Sequence, residues 1–222
     1  DGTDGSDGAK GDTGAVALSI PTPRSVVSAG GRIWMDRNLG ALRVANSVSD
    51  EKAYGSYFQW GRYVDGHEVQ TSSTTDVKST GDDPGHGEFI TTDSDWRETP
   101  NSDLWQGPNG INNVCPMEYR IPTAEEWNIE RNSWITDDAN GAFASPLKLT
   151  LTDYRFNYRG DMASGEGYGM YWSSTVTSEN PKYTERLRFT PTSTSVSASH
   201  RGAGHSVRCI QDIVKTGITS SI

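Results

Sequence analysis

Cysteine is scarce in this chain of 222 residues: there are two, Cys115 and Cys209. With no CxxC, no HExxH and no third cysteine, a zinc site or a thiol relay lacks its ligands. The pair allows one disulfide closing a long loop, or two inert buried thiols. Long hydrophobic runs are missing as well. Nothing approaches the ~20 apolar residues of a membrane-spanning helix, so membrane insertion is not expected. No stretch reads as a signal peptide, but the chain opens on Asp1 rather than Met, and a fragment or processed form is expected. Positive charge is in short supply: Lys and Arg total 20 against 29 Asp and Glu, a formal net charge of -9. With a pI near 4.9, the chain repels phosphate backbones and anionic membranes, and nucleic acid is not an expected partner.

What is present is bulk and glycine. Hydrophobic residues make up only 33% and mean hydropathy is -0.66. Yet 7 Trp and 9 Tyr supply large groups for a core. A chain of this length buries roughly 70% of its extended surface, and the polar surplus belongs in long loops. The first residues, "GTDGSDGAKGDTG", put glycine at every third position from Gly2 to Gly14. Only glycine fits the axis where three polyproline-II chains meet, so residues 1 to 16 read as the end of a collagen-like triple helix. A flexible Gly/Asp linker would not keep that register. Five triplets without proline are marginal alone, so a longer shaft is expected upstream. Residues 17 to 24, "ALSIPTPR", form a neck stiffened by Pro21 and Pro23, and 25 to 222 a globular domain.

Within that domain, "VVSAGGRIWMDRNLG" predicts a strand pair turning at Gly30 and Gly31, with Val26, Val27, Ile33 and Trp34 as strand formers. In "SDEKAYGSYFQWGRY", Ser49 is read as an N-cap, Asp50 and Glu51 as first-turn acids, and Tyr54 and Phe58 as one helical face. Val64 to Asn113 is loop-like, with aromatics set singly among Ser, Thr, Asp, Gly and Pro. Thr123 and Glu126 in "YRIPTAEEWNIERNSW" make a capping box for a helix running toward Trp134. Beyond it, "SPLKLTLTDYRF", "GYGMYWSSTV", "TERLRFTPTST" and "HSVRCIQDIV" read as strands and turns. Two short helices among many short antiparallel strands make an α+β domain.

Five ordered blocks are similar to the Fibrobacter succinogenes major paralogous domain: "IWMDRNLGA" (33 to 41), "AYGSYFQWGRYVDGH" (53 to 67), "CPMEYRIPTAEEW" (115 to 127), "GYGMYWSST" (167 to 175) and "SVRCI" (206 to 210). That family resembles the C-type-lectin-like superfamily, which also holds formylglycine-generating enzymes and retroelement-diversified variable proteins. The resemblance covers roughly residues 25 to 212. It implies a lectin-like α+β fold with adjacent first and last strands, two helices and a loop-rich face. Trp34, Trp60, Trp127 and Trp172 lie inside the blocks and are read as core. A Cys115 to Cys209 disulfide would tie the segment before the helix to the terminal strand.

Three functions compete. In the first, a triple-helical shaft presents three lectin-like domains, and multivalency raises weak binding by as much as ~10²–10⁴. Such a homotrimeric, extracellular fibre tip, bacterial or phage, would be an adhesin for a surface glycan or protein. In the second, the chain is an oxidase like the formylglycine-generating relatives, which resemble one another in a pair of reactive cysteines near the C-terminal part of the domain. Only Cys209 lies there, and His67, His86, His200 and His205 are scattered, so no enzyme activity is expected. In the third, the domain is only a folding cap for the triple helix. Binding residues are sought in the loops that carry ligand contacts in the retroelement-diversified relatives: Tyr168, Tyr171, Glu179, Asn180, Lys182 and Tyr183, then His200, Arg201 and His205. Trp96 and Trp105, isolated in polar loops, come second. The EPN or QPD and WND tripeptides of calcium-dependent lectins are absent, and "ENP" (179 to 181) is a scrambled echo. Asp82 with Asp83, and Asp93 with Asp95, could supply hard oxygen ligands for calcium, but solvated loop acids are the preferred reading; no cofactor is expected.

Overall fold

The computed structural model describes residues 24–212. The Gly-X-Y repeat, and the neck up to residue 23, lie outside the described residues. The chain runs through β1 (Ser25–Val27), β2 (Ile33–Met35), a 3-10 turn (Glu51–Ala53), β3 (Phe58–Gln59), β4 (Thr74–Thr75), β5 (Phe89–Ile90) and β6 (Tyr119–Arg120). It continues through α1 (Ala124–Asn132), α2 (Ala139–Ala144), β7 (Gly169–Val176), β8 (Tyr183–Thr190), β9 (Ser193–His200), β10 (Gly204–His205) and β11 (Ile210–Gln211). This is an α+β fold of short, mostly antiparallel strands. Among the described residues, no helix is long and apolar enough to cross a membrane.

The two ends of the domain meet in one sheet of order β1-β2-β11-β6. Trp34 pairs with both Val26 and Ile210, and Ile210 also with Arg120. The Gly30 and Gly31 turn therefore closes a hairpin as the strand formers around it require. Cys115 and Cys209 are bonded, joining the loop before β6 to the residue before β11. A second sheet, β7-β8-β9, holds the longest strands, and "TERLRFTPTST" supplies β8, its turn and the start of β9. On β8, Leu187 and Phe189 are fully buried, while Arg186 and Arg188, which alternate with them, are only half-buried. Gly169 on β7 faces Phe189; a Cβ there would sit 2.1 Å from the ring, so only glycine lets the strands close.

Helix α1 starts where its capping box places it. The Thr123 hydroxyl accepts from Glu126 N, and the Glu126 carboxylate accepts from Thr123 N. Such a cap stabilises a helix by about 1 kcal/mol. Glu126 also receives both Nη atoms of Arg120 and one of Arg32, pinning the helix to β6 and to the first hairpin. Six tryptophans (Trp34, Trp60, Trp96, Trp105, Trp127 and Trp172) are almost fully buried. Each removes enough apolar area to contribute about 4–6 kcal/mol before conformational entropy is subtracted. Their indole N–H groups mostly find carbonyls: Trp60 donates to Ser173, Trp96 to Trp60, Trp127 to Trp172 and Trp172 to Phe58.

Two local readings are corrected. The helix expected from Ser49 is a single 3-10 turn capped by Asp50, whose carboxylate also takes a two-pronged bond from Arg43. Gly55, at φ 77°, ends it, and Phe58 lies in β3 rather than on a helical face. The "SPLKLTLTDYRF" segment is extended but forms no named strand. Lys148 and Asp153 adopt φ 50° and 54°, which breaks the run, and the Asp153 carboxylate accepts from Gly165, Gly167 and Tyr168 instead. Helix α2, capped by Asp138, is an addition that no apolar periodicity announces.

Candidate functional site

The long polar segment from Val64 to Asn113 carries little regular structure beyond the parallel pair β4 and β5, and arginines hold it and the neighbouring loops in place. Arg62, fully buried, donates to the carbonyls of His86 and Glu88 and to Asp65. Arg155 donates to the carbonyls of Ser72 and Gly160. Arg208 reaches Asn38 and the Leu147 carbonyl. Arg201 lies 4.3 Å over the Trp60 ring and donates to Asn101 O and Ser102 Oγ. Burial pulls the guanidinium groups of Arg155, Arg201 and Arg208 down to about 10, leaving them protonated at neutral pH. Each satisfies otherwise orphaned carbonyl or amide oxygens, as buried polar groups require.

Beside this clamped region lies an open hollow of about 730 Å³, walled by β8 and β9 on one side and by residues 154–158 on the other. Aromatic rings line it. Tyr154, Phe156 and Tyr158 alternate along one wall, with centroids 4.8 and 5.6 Å apart between neighbours. Tyr168 lies 6.2 Å from Tyr154. Tyr183 and His200, paired across β8 and β9, put their rings 4.5 Å apart. The floor holds Met170 and His205, the latter 4.2 Å from the Trp172 ring. Two guanidinium groups, Arg186 and Arg188, stand in the same wall. Desolvation and the neighbouring Arg188 bring Arg186 down to about 10, so it stays cationic at neutral pH. Desolvation also lowers His200, and lowers His205 well below its ordinary value, so both rings are neutral at pH 7. The charge of the hollow is therefore positive, in a chain whose net charge is negative.

The sequence-derived site residues divide. Tyr168, Tyr183, His200 and His205 line the hollow. Tyr171 does not: it is fully buried, stacks on Phe189 at 5.8 Å, and its hydroxyl bonds the backbone of Thr150. Arg201 is a buried loop clamp. Glu179, Asn180 and Lys182 are exposed in the turn between β7 and β8, outside the hollow's lining. Asn180 shapes that turn, its side-chain oxygen accepting from Lys182 N. Trp96 and Trp105 are corrected outright. Both are 0% exposed in a cluster with Met35, Phe58 and Trp172, so neither ring offers a face to a sugar. Their apolar neighbours come from distant segments, which their local sequence does not reveal.

The residues that local reading passed over are Tyr154, Phe156, Tyr158, Arg186 and Arg188. A signal was there in period two: "YRFNY" alternates three rings, and "RLRF" alternates two arginines with two core residues. The loop acids are mostly engaged. Asp82 pairs with Arg97 and Asn101, and Asp93 with Lys78 at 3.4 Å. Asp95, buried, is held up by desolvation and lies 3.8 Å from Arg201.

Ser199 Oγ and His205 Nε2 are 2.9 Å apart, the contact of a nucleophile with its base. Among the described residues, no carboxylate meets the other ring nitrogen as the third, orienting group of a catalytic triad would. Asp65, His67 and Glu68 bring three metal-type ligand atoms together elsewhere. There His67 Nε2 accepts from Gln59 N, its Nδ1 faces Asp65 at 2.7 Å, and Arg62 holds the other Asp65 oxygen. Internal partners satisfy that group, and it reads as another loop clamp. Comparison of the chain with protein-family models, with curated proteins and with solved structures finds no match in any of the three.

Proposed function

We propose that this domain is the tip of a homotrimeric, collagen-shafted extracellular fibre and that the hollow recognises a saccharide on a target-cell surface. The observation that carries the binding reading is the hollow itself, an open concavity of about 730 Å³ lined by rings and donors. Sugar recognition needs an aromatic face for the C–H side of a pyranose and planar donors or acceptors for its hydroxyls. Tyr168, Tyr183 and their neighbours supply the faces; His200 and the two arginines supply the polar groups. The lectin-like reading draws support from the joining of the first hairpin to the last strand in one sheet. The disulfide fits an oxidising compartment such as the cell exterior. The trimer rests on the glycine period alone, and three weak sites on one shaft would act together.

The test is a glycan array probed with the full chain, beside binding to whole target cells. Replacing Tyr183 by Ala removes the ring that packs on His200 and is expected to weaken single-site binding about tenfold, the upper end of one aromatic contact. The fold should survive, since Tyr183 is only half-buried. An unchanged variant on both glycans and cells would sink the site assignment and leave the structural cap as the better account.

A further inference from the structure

We infer that the sugar taken by the hollow is an acidic one, and that its carboxylate is received by Arg188 with Arg186 beside it. This rests on the reading of the hollow as a saccharide site. It starts from an imbalance of charge. Arg32, Arg37, Arg43, Arg62, Arg97 and Arg120 each have a carboxylate within 4 Å. Arg155 and Arg208 have none, but direct their donors at protein oxygens. Arg188 does neither. Its guanidinium lies 4.7 Å over the Tyr168 ring, and among the described residues no carboxylate or carbonyl meets it. Arg186 is anchored by Nη1 to the Ser197 and Ala198 carbonyls and by Nε to Met170 Sδ, and among the described residues Nη2 has no partner.

The two arginines are two residues apart on one strand, so they share a face and repel each other. The acid at the hollow's rim, Asp93, is exposed and engaged by Lys78. Nothing in the fold requires two uncompensated cations there, and neutral hydroxyls do not call for them. A carboxylate does. It accepts two parallel N–H bonds from a planar guanidinium fork, and the stacked Tyr168 ring holds that fork in place. The sugar ring bearing it would then lie against the aromatic wall.

The experiment titrates the full chain with uronate- and sialate-terminated oligosaccharides, each beside its methyl ester and a sulfated neutral counterpart. Free acids are expected to bind at least tenfold tighter than their esters, with the preference shrinking at about 0.5 M salt as charges are screened. Arg188→Gln should abolish the preference while leaving thermal unfolding unchanged, and Arg188→Lys, which keeps the charge but loses the fork, should fall between. Equal binding of acid and ester would overturn the inference and leave the saccharide reading standing. Tighter binding of the sulfated sugars would overturn the carboxylate. If no sugar binds, yet Tyr183→Ala still loses whole cells, both the inference and the saccharide reading fall and a protein receptor replaces them.

Discussion

Removing the disulfide is the sharpest probe of how this loop-rich fold is held. Cys115 and Cys209 are separated by 94 residues, and Cys209 is fully buried in the cluster that contains Trp60 and Trp172. In the chain-entropy treatment, a cross-link closing a loop of that size removes about 16 cal/mol/K from the unfolded ensemble, ~4.7 kcal/mol at 25 °C. Replacing both cysteines by alanine should cost about that much in chemical denaturation. For a domain of this size the melting temperature should fall by roughly 10–19 °C. Because the effect acts through the unfolded chain, the denaturant slope m should rise as that chain expands. Either single alanine variant should cost nearly as much as the pair, since each removes the same cross-link. The same strands are also joined without the bond, through the pairing of Ile210 with Arg120 and the bonds of Arg120 to Asp212. A loss below about 1.5 kcal/mol with unchanged m would mean that those contacts persist in the denatured state, and would refute the entropic argument.

Two further outcomes follow from the packing and the electrostatics. Trp96→Ala should cost about 3–5 kcal/mol, read by thermal unfolding, while ligand affinity per folded molecule stays unchanged; a selective loss of binding with full stability would contradict its place in the core. Glu126 sits near 2 because the hydrogen bonds and charge of Arg120, with Thr123 N and Arg32, outweigh the burial that alone would raise it. A depressed carboxylate stabilises the fold above its unfolded value near 4.5 and ceases to as pH falls through about 2. Roughly 3 kcal/mol should therefore disappear between about pH 5 and pH 2, and acid titrations of Glu126→Gln should lack that component. Superimposable acid titrations of variant and parent would rule the linkage out.

The features legible in the sequence are those whose physics closes within a few residues. The Thr123 to Glu126 box had to cap a helix because donor and acceptor lie on adjacent turns, and Gly30 with Gly31 had to turn a hairpin between two runs of strand formers. The Ser49 helix misled because a cap and two acids announce a start but not a length; Gly55 ended it after one turn. Trp96 and Trp105 misled for a different reason. Burial is decided by residues far away in the chain, and polar neighbours in sequence say nothing of apolar neighbours in space.

By itself, then, the sequence determined the glycine period, the α+β make-up, the first hairpin and the cap of α1, all set by local backbone and side-chain chemistry. The tertiary structure alone decided which aromatics became core and which became surface. It also brought residues 154–158, 168–170 and 183–205 around one hollow. Charge compensation was settled there too, because whether an arginine finds its carboxylate depends on through-space distance. Arg201, which looked like a binding group in a glycine-rich loop, was drawn inside to clamp that loop. Arg188, in a strand legible from the sequence but not read as a site, lines the hollow.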